Sequence, residues 1–244
     1  MRAFFAIYRR EIEGFIQTPP AYIFVAAFAA LAGGLTFQGG GFFESSSADL
    51  TAFFALHPWL FVILAPALTM KSWAEEIRQG TIETLLTLPI SVPFVALAKH
   101  CAAWTAILFA LLLTTPIWFT VNYLGAPDNA AIAASYGMSF LAAGAYLALG
   151  QACSAITGHQ AAAFVAAVLI GLGFTAAGSP AITDAAARSL GPLAADLVAP
   201  FGFAARLEPA WRGVLDIGAA LYFLLFATVA LGIASVFASA RRGG

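Results

Sequence analysis

Few residues in this 244-residue chain carry reactive groups: 11 Lys or Arg, 12 Asp or Glu, three His and two Cys. His57, His100 and His159 fall in separate connections or helix ends, without H-E-x-x-H spacing or a neighbouring cysteine pair, so their spacing offers no metal site. They read as interfacial or loop histidines. No G-x-x-x-x-G-K-[ST] run is present, nor any Gly-Lys pair, so the chain has no such loop to cradle the phosphates of ATP. Gly178-Ser179 lacks the strand, elbow and helix context of a hydrolase nucleophile. Cys101 and Cys153 fall at helix ends expected on the cytoplasmic side, where thiols stay reduced, and read as packing residues. The expectation is a non-catalytic chain that binds no cofactor or metal itself.

The most informative polar stretch runs from Lys71 to His100. Glu75, Glu76 and Arg78 prolong a preceding apolar helix, and Gly80 is the residue type that ends helices at positive φ. Thr81 is placed to cap a new helix, with Glu83 in its first turn facing the positive end of the dipole and Pro89 closing it after two turns. Its surface is apolar along Ile82, Leu85, Leu86 and Leu88, more than a solvated loop needs and more than two turns can bury alone. Ser91 is placed to cap the next helix, and Pro93 suits its first turn. Two uses fit: a peg gripped by a partner protein, or two turns lying on a membrane surface.

The elements that must position this stretch are apolar. Hydrophobic residues make up 61% of the chain and charged residues 9%. Mean hydropathy is +0.90. A soluble domain carries about a quarter charged residues, so a water-soluble globule is excluded, and the near-neutral charge argues against nucleic acid as a partner. A bilayer crossing needs about 20 apolar residues. Six stretches qualify: Ala21 to Phe37, Phe53 to Met70, Cys101 to Val121, Ile132 to Ile156, Ala161 to Ala177 and Val214 to Phe237.

Six crossings put both termini on one side. With that side cytoplasmic, eight basic residues lie inside and three outside, and net charge is about +3 inside against −4 outside, as the positive-inside rule requires. Before the first span, Phe4, Phe5, Tyr8, Ile12, Phe15 and Ile16 share a face opposite Arg2, Arg9 and Glu13, the pattern of an interfacial helix. It lacks the h-region and cleavage site of a secretory signal, so the N-terminus is expected to be retained.

The external connection from Gly178 to Arg212 is rich in alanine and proline, which predicts short helices folded onto the outer ends of the spans. Asp216 is expected to anchor the last span by reaching water or pairing with Arg212. Gly144, Ala148 and Ala152, and likewise Ala163, Ala167 and Gly171, recur every four residues and read as intrachain packing surfaces.

With these residues in view, the chain resembles the membrane permeases of type-2 ABC exporters, in the gliding-motility and nitrous-oxide-reductase-maturation (copper-processing) branch. The resemblance rests on the segment from Tyr8 through Thr18-Pro19-Pro20-Ala21-Tyr22-Ile23, and on Glu75-Glu-Ile-Arg-Gln-Gly-Thr-Ile-Glu-Thr-Leu-Leu-Thr-Leu-Pro-Ile-Ser followed by Lys99. It rests also on Ala199-Pro-Phe-Gly-Phe and on Arg212-Gly-Val-Leu-Asp leading to Tyr222-Phe.

The resemblance implies an all-α membrane protein of one domain, residues 1–244, with six transmembrane helices. An interfacial helix (1–20), a cytoplasmic coupling helix between spans 2 and 3 (71–100) and short external helices between spans 5 and 6 (178–212) complete it. It further implies a bacterial inner-membrane location, a second permease copy forming a homodimer, and a separate ABC ATPase subunit carrying ATP and Mg. A periplasmic or membrane auxiliary subunit is a further implied partner. Glu75, Glu76, Arg78, Gly80, Thr81, Glu83, Leu85, Leu86 and Pro89 would couple to the ATPase, and Phe201, Phe203, Arg212 and Asp216 would serve the external or gating region. Gly202 stands where such permeases often carry histidine, and Ile217-Gly-Ala brings no charge after Asp216, so the resemblance names no substrate. Two other functions stay open: a non-transporting scaffold or mechanotransducer of an ABC complex, and an ion-coupled secondary transporter, for which the chain lacks buried acids and an internal repeat.

Overall fold

The computed structural model describes residues 2–17, 19–39, 49–82 and 90–241, and the described secondary structure is entirely helical. In chain order the helices are α1 (Arg2–Gln17), α2 (Pro19–Gly39), α3 (Thr51–Thr69), α4 (Ala74–Arg78), α5 (Val92–Leu112), α6 (Thr115–Leu124), α7 (Asn129–Thr157), α8 (Gln160–Ala176), α9 (Pro180–Leu190), α10 (Pro192–Val198), α11 (Phe203–Trp211) and α12 (Ile217–Ala240). Four helical stretches are long and apolar enough to cross a bilayer: Thr51–Arg78, Val92–Leu124, Asn129–Thr157 and Ile217–Ala240. Counting two bent pairs as spans raises the number to six: α1 with Tyr22–Thr36, and α8 with α9, the latter bent by 84°.

Helix boundaries follow local chemistry. Proline occupies the first turn of α5, α6, α9 and α10, where its missing N–H costs nothing. The Asp128 carboxylate accepts from the Ala130 and Ala131 amides at 2.9 and 3.1 Å and so starts α7. Asp216 does the same for α12, accepting from the Gly218 amide at 2.8 Å. Two expected continuities are interrupted. The second apolar helix does not run unbroken into Glu75 but turns at residues 70–73 before α4. The third begins nine residues earlier than the apolar run and breaks at Leu113 and Thr114, where the Thr114 hydroxyl donates to the Leu111 carbonyl at 2.6 Å.

Burial is distributed as in a bundle that meets hydrocarbon. Central α7 is buried over most of its length and is rich in Ala, Gly and Ser. The outer faces of its neighbours expose large apolar side chains, among them Leu225, Val229 and Val236 on α12, Leu169 on α8, Phe109 on α5 and Leu113 at its end. A contiguous apolar exterior of this kind is stable against lipid and unstable in water.

The small residues of α7 and α8 turn inward, as their spacing predicts: Ala148, Ala152, Ala163 and Ala167 are buried, and so are Gly144 and Gly171. At Gly150 the approach is closest, because a Cβ there would lie 2.1 Å from Thr69 Oγ1 and 3.3 Å from the Pro66 Cα. The core between the two ends of the bundle is apolar, built from Phe28, Phe61, Ile107, Tyr146, Leu147 and Phe203.

Polar contacts gather at two opposite ends of the helices. One end joins α1 to α4 and α5, α4 to the start of α8, and Arg241 to the Ile156 carbonyl at 2.9 Å. The other joins Asp49 to Thr51, Trp118 and Asn122 to Asn129, and Ser135 to the Ala210 carbonyl.

Replacing Gly150 by Val should lower thermal stability by about 1–3 kcal/mol through overpacking against Thr69 and Pro66. Adding Thr69→Ala to Gly150→Ala should recover part of what Gly150→Ala loses, read as the melting temperature in micelles.

Candidate functional site

The 70–73 turn, which sets the direction of α4, is held by one hydroxyl. Ser154 Oγ on α7 donates to the Met70 carbonyl at 2.8 Å and accepts from the Trp73 and Ala74 amides at 3.1 and 3.0 Å. Three backbone groups freed where α3 ends are thereby satisfied inside the protein. The helix that follows stops at Gly80, whose φ of 69° is the left-handed conformation anticipated there.

On the inner face of α4 the charges form a closed cluster. Lys99 lies about two turns into α5, and its side chain is only 3% exposed. Its Nζ donates to Glu11 Oε1 at 2.8 Å and to Glu76 Oε1 at 3.0 Å. Arg10 Nη2 reaches the same two oxygens at 3.0 and 2.6 Å. Two cations and two carboxylates from α1, α4 and α5 thus neutralise one another at the foot of the bundle. Lys99 also stands 5.5 Å from the centroid of the buried Trp73 ring, a cation–π contact. Burial alone would raise the Glu11 carboxyl, but Lys99 and Arg10 outweigh it and hold the group below its ordinary value of 4.5. Burial likewise opposes the charge on Arg10, and the hydrogen bonds it donates to Glu11 and Glu76 more than offset it.

The outer face of α4 is different. Glu75 Oε1 accepts from Arg78 and Gln79, both at 2.5 Å, and Oε2 accepts from Gln160 at the start of α8. Arg78 is 63% exposed. The sequence-derived coupling residues are therefore split by α4. Glu76 faces inward, 8% exposed, whereas Glu75 and Arg78 stand where a partner could reach them. The Thr81 hydroxyl points back to the Glu76 carbonyl at a long 3.5 Å. Ile82, the first apolar residue of the expected peg, is buried in a cluster with Ile7, Trp73, Val95 and Ala96. Glu83, Leu85, Leu86 and Pro89 lie outside the described residues. Ser91 stands at the N-cap of α5 with extended backbone, but its side chain makes no capping bond.

The external set is also sorted. Phe203 is fully buried among Tyr146, Phe174, Tyr222, Phe223 and Phe226, so it is core, while Phe201 is half exposed. Of the two arrangements expected for Asp216, reaching water or pairing with Arg212, the pair does not form. Gly213, at φ 80°, breaks the helix between them, and Arg212 instead holds Glu208 one turn earlier at 2.6 Å, leaving Asp216 to cap α12. Gly202 crosses Gly178 so closely that a Cβ would sit 2.4 Å from the Gly178 amide nitrogen, which leaves no room for any side chain at that position.

His57 is neither a loop nor an interfacial residue. It is fully buried within α3, ringed by Phe28, Phe53, Phe54, Phe61 and Tyr136, with Nδ1 2.9 Å from Ser139 Oγ. His100 is buried beside Trp104, and His159 stands in the α7–α8 connection. Cys101 and Cys153 are both free thiols. In the sequence Lys99 stands out only as the residue that follows the cytoplasmic motif, and Gln151 is unmarked, although each is a lone strongly polar residue close to or within an apolar run.

No family model matches this chain, and no curated protein matches it.

Lys99→Ala should destabilise the protein by about 3–5 kcal/mol, since it strands buried carboxylate charge. The Lys99→Ala, Glu76→Gln double variant should lose less than the sum of the single losses in the same thermal assay. Because the Glu11 carboxyl is held low in the folded protein, its stabilisation is present above 4.5 and is lost as pH falls through the lowered value. Melting followed from pH 7 down to pH 3 should show that loss, and it should be smaller in Glu11→Gln.

Proposed function

We propose that this chain is the membrane permease subunit of an ATP-driven ABC exporter. It crosses the inner membrane six times with both termini in the cytoplasm, pairs with a second copy, and is driven by a separate ATPase subunit that carries ATP and Mg. The observation that carries this reading is the construction of α4. A short helix emerges from the apolar bundle, is locked inward through Glu76 and Ser154, and offers Glu75, Arg78 and Gln79 outward.

Such a helix is suited to receive force. A push on its outer face passes through Glu76 to α1 and α5 by ion pairs, and through the 70–73 turn to α3 and α7. Packed elements respond to a push of this kind as tilting bodies. The polar end that contains α4 also contains Arg10, Lys99 and Arg241, in keeping with the excess of basic residues assigned to the cytoplasmic side. Four helical stretches have the length and polarity of a crossing, and the number rises to six where each bent pair counts as one span, which supports the six-span reading in number.

The apolar, aromatic-rich core also favours a second reading, a mechanotransducer that passes ATPase motion to an external partner without moving a solute. In the exporter reading the solute route lies between the two copies. ATP-dependent uptake into inverted vesicles separates the two.

Reversing the outward charges, Glu75→Lys with Arg78→Glu, should reduce co-purification of the ATPase subunit at least severalfold while membrane insertion persists. Undiminished co-purification would remove α4 from the interface.

A further inference from the structure

Beside the charge cluster lies a cavity of about 410 Å³, bounded by α1, α4, α5, α7 and the 68–72 segment. Its size falls within the range of small-ligand sites and far exceeds the space one water molecule needs. Polar side chains on its wall are left without partners. Gln151 is wholly buried, and neither its amide nitrogen nor its amide oxygen makes a hydrogen bond. Ser72 Oγ and Glu76 Oε2 are likewise buried and unpartnered. Buried polar groups in folded proteins are almost always satisfied, and a buried amide left bare is destabilising because its lost hydration is not replaced.

The chemistry of the missing partner follows from charge. The ionisable side chains lining the cavity are Arg10, Lys71 and Lys99 against Glu11, Glu75 and Glu76, three of each sign. Glu76 already holds two cations on Oε1, so a third on Oε2 would leave the buried cluster with excess positive charge, and an anion would meet Glu76 itself. An uncharged O–H donor satisfies Oε2 at no electrostatic cost. The Gln151 amide presents a donor and an acceptor side by side, which matches neighbouring hydroxyls that each donate and accept. Phe15 adds an apolar wall.

We propose that this cavity binds an uncharged, hydroxyl-rich group, either the sugar of a neutral glycolipid or a free sugar of similar size, held by Gln151, Ser72 and the free oxygen of Glu76. The site does not require an ATPase on α4, because Gln151, Ser72 and Glu76 are not among its outward residues, although Glu75 and Gln79 also border the cavity.

The test uses the full chain, purified in a detergent without sugar or glycerol headgroups, with retained ligand read by native mass spectrometry. The probes are monoglucosyl diacylglycerol, methyl glucoside and phosphatidylethanolamine, each offered separately. The glucosyl lipid should be retained, and its affinity should fall about tenfold in Gln151→Leu, the loss expected for a buried hydrogen-bonded group. Ser72→Ala, which removes only one hydroxyl, should weaken binding in the same direction and keeps the test valid if Gln151→Leu fails to fold. Binding of methyl glucoside with the same sensitivity supports the proposal and identifies a soluble ligand. Retention of phosphatidylethanolamine with that sensitivity overturns it in favour of an ammonium. Equal retention of every probe by wild type and variants, or retention of none, overturns it outright.

Discussion

A buried ammonium about two turns inside an apolar helix is tolerable only while carboxylates from other elements face it, and that condition on Lys99 governs the polar end of this protein. Glu11 must be delivered by α1 and Glu76 by α4. Arg10 then balances the second carboxylate. With these charges in place α1 cannot drift across the membrane surface independently, and α4 cannot swing free of the bundle. Tyr8 adds a neutral tie in the same seam, its hydroxyl 2.9 Å from Thr105 Oγ1 on α5. Ile82 closes the seam beneath Ile7 and Val95.

The remainder of the fold supplies stiffness behind that seam. Small residues on α7 bring α3 close enough for Gly150 to touch Thr69 and for Ser154 to bridge the break after α3. Above them the aromatic packing around Tyr146 and Phe203 joins α7, α8, α11 and α12. At the far end, Arg206 lies over the Tyr222 ring at 4.0 Å and donates to the Pro200 carbonyl, fastening the 199–211 stretch to α12.

Much of the helical layout is legible in the sequence, because apolar runs of span length and their proline and aspartate boundaries are local signals. The grouping of basic residues at one end is legible too, from the asymmetry of loop charges. The inward turn of Gly144, Ala148 and Ala152 follows from four-residue spacing.

The charge cluster is not legible, since its members lie 66 and 88 residues apart and each looks like an ordinary flanking charge. Burial of His57 is hidden because its aromatic cage is assembled from α2, α3 and α7. The break at 70–73 has no local signal either, since its backbone groups are satisfied by a serine more than eighty residues away. Arg212 and Asp216 have the spacing of a helical pair, but Gly213 takes a positive φ and separates them.

The central claim is that α1 and α4 move as one body. Pulsed electron–electron resonance between spin labels at Arg9→Cys and Lys71→Cys, the latter at the exposed base of α4 and outside its outward face, with Cys101 and Cys153 replaced by alanine, measures it directly in nanodiscs containing the proposed ATPase subunit. On addition of a non-hydrolysable ATP analogue the 9–71 distance distribution should stay unchanged, while a 71–212 pair spanning the two ends should shift. A widened or displaced 9–71 distribution would contradict the claim, because it would mean that the cluster around Lys99 opens instead of carrying the motion.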